Sequence, residues 1–359
     1  MHMADALLSP AVGGTMWAVS AGTIAYSSRK VRAELDDRKV PLMGVIGAFL
    51  FAAQMINFSI PATGSSGHLG GGLLLTVLLG PYAAYLTIAS VLVVQALFFA
   101  DGGLLALGCN IFNMGFIPAF IVYPLIYKNI LITTSSQMRM NVAIMISAVV
   151  GLQLGPLGVV LVTWFSGISA LPLSTFILFM QPIHLAIGVV EGFVTVAVVS
   201  FVHKARPEIL QGALEARPIG NHPVRNVFLA FLAIAIITGG IGSWFASKDP
   251  DGLEWAIAKV TDKEGLQMPE QGLHGALAAL QRKTAFLPDY SFSKAAEAKK
   301  EEVPPAGELN KAAAKPEGGQ KKEKESMLGT SVAGIIGTLI TLALALLAGL
   351  LLKKRQQPA

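Results

Sequence analysis

The chain has 359 residues, of which 53% are hydrophobic and only 14% charged, where soluble domains carry about a quarter. The formal charge of +5 is therefore read as the basic loops of a membrane protein, and nucleic-acid binding is set aside. One cysteine, Cys109, allows neither an internal disulfide nor a thiolate cluster.

The opening residues, MHMADALLSP, contain no Lys or Arg, and the first basic residue is Arg29. The segment lacks the charged start of a signal peptide and is expected to stay on the protein. His2 is too large for the usual removal of the initiator Met, so Met1 is expected to keep a free amine.

Apolar stretches predict nine spans, near 11–28, 41–58, 69–80, 83–100, 104–126, 141–164, 175–202, 226–246 and 328–352. Each lies near the roughly 20 residues that cross a bilayer, the third being short and rich in glycine. Basic residues follow alternate spans. Arg29, Lys30, Arg32, Arg38 and Lys39 follow the first, and Lys128 and Arg139 the fifth. Lys204, Arg206, Arg217 and Arg225 follow the seventh, and Lys353, Lys354 and Arg355 the last. The short loops near 59–70, 101–103 and 165–175 have none. The positive-inside rule then predicts a multi-pass protein of a prokaryotic cytoplasmic (inner) membrane, N-terminus outside and C-terminus inside.

The expected fold class is an all-α polytopic membrane protein. Residues 1–220 would form a bundle of about seven helices, and residues 221–359 a two-helix hairpin around a long extracytoplasmic loop, about 247–326. The Lys/Glu/Ala/Pro-rich stretch 294–326 reads as linker-like.

This topology places the N-terminus and the 61–72 loop, PATGSSGHLGGG, on the same outer side. A free Met1 amine, the His2 backbone nitrogen and a His2 imidazole nitrogen can close small chelate rings on one cation. Ni(II) and Cu(II) favour deprotonated amide nitrogen in square-planar geometry, which leaves one corner open. His68 is the one strong metal ligand of the other loop, where glycines permit close approach. The residues alone leave open whether it ligates or only hydrogen-bonds. Thr63, Ser65 and Ser66 are candidates to orient the imidazole or to cap the next helix. Asp5 could neutralise the cation, bond to the loop or be an ordinary helix N-terminal acid, and Asp101 could stand beside the metal or cap a helix. Gln95, Asn110 and Asn113 could line a pocket or link helices.

His184 and Glu191 lie on nearly one face of the seventh span, as a polar path supporting the site or as hydrogen-bonding glue between helices. Ala18 and Gly22, and Ala21 and Ala25, form small-residue pairs that could face a neighbouring helix or a partner. His203, His222 and His274 are expected to be solvated, and Asp251 and Glu254 with His274 could form an external handoff site or be chance residues of a long loop. No P-loop motif occurs, so the chain does not hydrolyse ATP through one. No nucleophile, acid–base pair or cofactor motif points to an enzyme.

Four stretches resemble the CbiM/NikM family of substrate-binding components of cobalt and nickel energy-coupling-factor transporters. They are MHMADALLSP, SGHLGGGLLLTVLLGPYAAYL, VQALFFADGGLLALGCNIFNMG and HLAIGVVEG, in order across residues 1–200. The resemblance implies that the N-terminal amine, the backbone and side-chain nitrogens of residue 2 and a loop histidine hold the metal, here Met1, His2 and His68. Family members often continue Ile-Pro-Asp-Gly where this chain has Met3, Ala4, Asp5 and Ala6, which leaves the shape of the N-terminal loop open. PDGLEW (250–255), PDYSF (288–292) and the last span resemble the NikN-like PDGLE auxiliary subunit, fused here. In related systems that subunit is needed for metal loading. The resemblance further implies no cofactor, Ni(II) or Co(II) as cargo, and as partners a CbiQ/NikQ-like coupling protein and CbiO/NikO-like cytoplasmic ATPases. The alternative is a self-sufficient, ion-coupled secondary permease with Glu191 as its coupling residue; an inverted repeat would support that reading, and none is evident.

Overall fold

The structure is a computed structural model that describes residues 2–34, 39–131, 136–169, 171–218, 223–261, 271–292 and 318–352. Met1, His222, most of the linker-like stretch and the last basic residues fall outside that set. Among the described residues, five helices are long and apolar enough to cross a membrane: Pro81–Phe99 (α4), Leu107–Leu131 (α5), Gln137–Ser166 (α6), Leu173–Ala205 (α7) and Met327–Leu352. The chain is a helical membrane protein. Large exposed side chains such as Trp164, Phe165, Leu178 and Phe193 suit contact with lipid.

The other expected spans are helical but shorter or less apolar. Pro10–Glu34 (α1) carries Ala18, Ala21, Gly22 and Ala25 on its exposed side. Lys39–Gln54 (α2) is buried almost throughout. Gly72–Leu79 (α3), about 12 Å long at 1.5 Å per residue, is too short to cross alone. Its ends are set by left-handed glycines, Gly71 at φ 74° and Gly80 at φ 78°, and Pro81 then starts α4. Gly72 itself is obligatory, because a Cβ there would lie 2.0 Å from the Met114 carbonyl oxygen. Within α5, Phe112–Tyr127 follows wide π-helical turns that contain Pro118 and Pro124.

Between α2 and α3, where an all-α reading expected loop, Phe58–Ile60 (β1) pairs antiparallel with Ser65–Gly67 (β2), Ile60 opposite Ser65. Pro61 and Gly64 exclude helix here, and Ala62 (φ 63°) and Gly64 (φ 72°) make the turn.

Pro207–Glu215 (α8) follows α7, and Arg225–Gly240 (α9) begins the second part. The long-loop expectation is corrected in part: Gly252–Thr261 (α10) and Gly272–Thr284 (α11) are helices packed on the bundle. Asp251 Oδ1 accepts from Leu253 N and Glu254 N, capping α10, whose Leu253, Ala256 and Ile257 are buried. The last helix runs Gly318–Leu352 (α12), so residues 318–326 are helical rather than linker. A Cβ at Gly334 of α12 would lie 2.1 Å from Gly239 O of α9, so these helices cross backbone to backbone. Together with α4 they enclose α2.

Candidate metal site

The N-terminal segment lies in a slot cut by the ADGG loop after α4. Gly103 N donates to Met3 O (2.9 Å), Met3 N to Asn110 Oδ1 (2.9 Å) and Ala106 N to Asp5 Oδ1 (2.9 Å). Gly103 has to be glycine, because a Cβ there would meet the Asp5 carboxylate at 1.8 Å. Asp5 thus fastens the segment to the bundle while also standing in the first turn of the short helix Asp5–Leu7.

His2 is anchored through one ring nitrogen. Nε2–H donates to Gln95 Oε1 at 3.1 Å, which leaves the lone pair on Nδ1, and Nδ1 stands 3.2 Å from Asp101 Oδ1. Nδ1 is the nitrogen that can close a small ring with the backbone nitrogen of the same residue. His68 Nδ1 donates to Leu69 O at 3.1 Å, which puts its lone pair on Nε2. The two rings stack, centroids 5.0 Å apart and planes within 15°. Burial pushes both imidazoles down to about 3, so each is neutral, the form that binds metal. Burial raises the carboxyls of Asp101 and Glu254 above their ordinary values.

The rings face a cavity of about 430 Å³ that is also lined by Asp101, Asp251, Glu254 and Tyr290. Among the described residues no group of three or more His, Cys, Asp or Glu side chains is arranged to hold a metal by itself.

A relay of amides ties the two histidine segments together. Gln95 Nε2 donates to Gln54 Oε1 (3.0 Å), and Gln54 Nε2 to Gly70 O (3.0 Å). From below, the Glu191 carboxylate accepts from Gly70 N (2.6 Å) and Gly71 N (3.1 Å). Both backbone donors are buried with the loop, and a carboxylate is the strongest acceptor they can find there.

Of the residues expected at the site, His2, His68, Asp5 and Asp101 line the cavity, while Met1 lies outside the described residues. Thr63, Ser65 and Ser66 make their bonds within the hairpin and to the turn ahead of α10. Thr63 Oγ1 donates to Ile60 O and pairs with Ser65 Oγ, and Ser66 Oγ donates to Asp249 O. Glu191 supports the loop from α7, whereas His184 bonds Met180 O on its own helix and its Nε2 is buried without a partner. Gln95 and Asn110 hold the N-terminal segment, and both polar atoms of Asn113 are buried unpaired. His274, expected in solvent, is buried and bonds Leu8 O at 2.8 Å, because α11 packs over the N-terminal segment. Gln54 and Tyr290 were missed, and the one signal for Gln54 was an amide inside an apolar run.

Residues 2–209 match the family described as cobalt uptake substrate-specific transmembrane region, CbiM, and residues 225–354 match the PDGLE domain. The fused nickel transport protein NikMN of Rhodobacter capsulatus is 30% identical over 312 residues, covering 81% of this chain and 88% of that protein. The cobalt transport protein CbiM of Geobacter sulfurreducens is 27% identical over 287 residues, covering 74% and 79%. A crystal structure of a truncated transition metal transporter is 31% identical with a TM-score of 0.51, over 57% of this chain and 99% of that one.

Proposed function

The chain belongs to the CbiM family and carries a PDGLE domain behind it, and on that premise we propose that it captures Ni(II), or Co(II), for an ATP-driven importer of the energy-coupling-factor type. The cation is held by the Met1 amine, the His2 backbone nitrogen and Nδ1, and His68. The observation that carries this reading is the stacked pair of neutral imidazoles, brought together from the N-terminus and the 61–72 loop. Relatives named as nickel and cobalt transport proteins support the choice of cargo, and planar nitrogen ligation favours nickel. The chain is a transporter component, not an enzyme.

The site faces outward in an inner membrane, with residues 1–220 as the capture module and 221–359 as the auxiliary one. A CbiQ/NikQ-like coupling protein and CbiO/NikO-like ATPases supply the energy, which fits a sequence without a P-loop. The secondary-permease alternative needs Glu191 for ion coupling, yet its carboxylate is engaged by Gly70 N and Gly71 N. In proteoliposomes the chain alone is expected to bind nickel without accumulating it, and to accumulate it once the partners and ATP are added. Concentrative uptake by the chain alone would refute the importer reading.

The pH dependence of capture follows from the buried rings. Held down to about 3, His2 and His68 carry no proton between pH 5 and 8, so protons do not compete for their lone pairs there. The protons that nickel displaces come from the terminal amine and the His2 amide. Affinity is expected to rise steadily from pH 6 to 8 with no inflection near the ordinary histidine value of 6.5. Calorimetry in buffers of different ionisation enthalpy counts the released protons, and an inflection near 6.5 would mean that a solvent-titrating histidine is a ligand.

A further inference from the structure

The walls of the cavity come from both modules. On the His2 side, the Tyr290 hydroxyl donates to Asp101 Oδ2, while Asp101 Oδ1 lies 3.2 Å from His2 Nδ1. The Tyr290 ring stacks on Phe99 at 5.0 Å, and Gln281 Nε2 donates to Gly102 O (2.7 Å) and Ala96 O (2.9 Å). Two side chains of the second module thus grip the loop that carries Asp101.

On the His68 side, the PDGLE turn lies along the hairpin. Ser66 N donates to Pro250 O (2.8 Å), Ser66 pairs with Asp251 as a parallel bridge, and Trp255 Nε1 donates to Thr63 O (3.0 Å). The turn fits because Gly252 has no side chain. A Cβ there would stand 2.6 Å from Ile183 Cγ2 and 3.2 Å from His184 Cε1. Two residues of the Pro-Asp-Gly signature thus have a role set by their side chains: Asp251 caps α10, and Gly252 gives the turn a flat seat on α7.

We infer that Tyr290 and the 250–252 turn position the two histidines of the capture site, one contact for each. Tyr290 is a positioning residue that fixes Asp101 beside His2 Nδ1, and the 250–252 turn fixes His68 through Ser66. The inference rests on the reading of His2 and His68 as metal ligands. Its chemical content is preorganisation: each grip removes freedom that the ligands would otherwise lose on binding, and each places a carboxylate, Asp101 or Asp251, on the cavity wall where a hydrated dication arrives.

The test uses the full chain with its native N-terminus and nickel alone as probe, with affinity from calorimetry and ligand geometry from the visible circular dichroism of bound Ni(II). Tyr290→Phe keeps the ring and removes the hydroxyl, whereas Gly252→Ala lifts the turn from α7. Each is expected to weaken binding about tenfold, within the range for outer partners of metal ligands, and to alter the d–d bands. Acting on different ligands, they should multiply to about a hundredfold in the double variant. If native protein binds and both variants match it in affinity and spectrum, the inference fails while the ligand assignment stands. Weaker binding with unchanged d–d bands also overturns it, since the module would then only support the fold. Native protein that binds no nickel overturns the ligand assignment itself.

Discussion

Replacing His68 by alanine is expected to abolish measurable nickel binding. The substitution removes the neutral nitrogen that the loop offers, together with the stack on His2. A three-nitrogen set left by the N-terminal segment would have to take water at its open corner, and the loss expected is at least a hundredfold. The fold should survive, because the loop's backbone is held by groups other than the imidazole: Gln54 at Gly70 O, and Glu191 at Gly70 N and Gly71 N. Thermal unfolding separates the two effects. A ligand at a hundred times its dissociation constant stabilises a native protein by about 2.7 kcal/mol, so the native chain should melt higher with nickel and the variant should not. A variant that still gains stability from nickel would remove His68 from the ligand set.

Glu191→Ala is expected to be the most destabilising single change around the site. It strips the acceptor from two buried backbone donors, each costing about 1–3 kcal/mol when left unsatisfied, and more where the lost partner was charged. A loss of about 3–5 kcal/mol follows, with nickel binding lost alongside because Gly70 and Gly71 lie just beyond His68. Glu191→Gln keeps an acceptor for one of the two donors and should retain part of both properties. Unfolding in detergent with calorimetry on the same samples checks this. An alanine variant that melts and binds like the native chain would return Glu191 to the role of a coupling residue.

The apolar spacing made the membrane class legible from the sequence, and elementary chelate chemistry singled out His2 before any contact was known. His68 stood out because its loop offers no other strong ligand. What the sequence could not disclose were partners set by tertiary packing. Glu191 could have bonded any neighbouring helix, and that it serves two loop amides depends on how α3 is cut short by Gly71 and Gly80. The bond of Tyr290 to Asp101 is set by tertiary packing, with Phe99 as the platform for its ring. The helices at 252–261 and 272–284 read as loop because each is short, although the Asp-Gly-Leu-Glu start carries an N-cap signal for the first of them. His274 was misplaced in solvent for the same reason.

The N-terminal chelate is the centre of the account, and adding one glycine ahead of Met1 addresses it directly. The extension moves the free amine away from His2 without changing a side chain. Calorimetry of nickel against the two proteins should show tight binding to the chain that starts at Met1 and none to the extended one, with both melting alike in the absence of metal. Equal binding by the extended chain would contradict the account and move the search for ligands to His184, Glu191 and the carboxylates of the PDGLE turn.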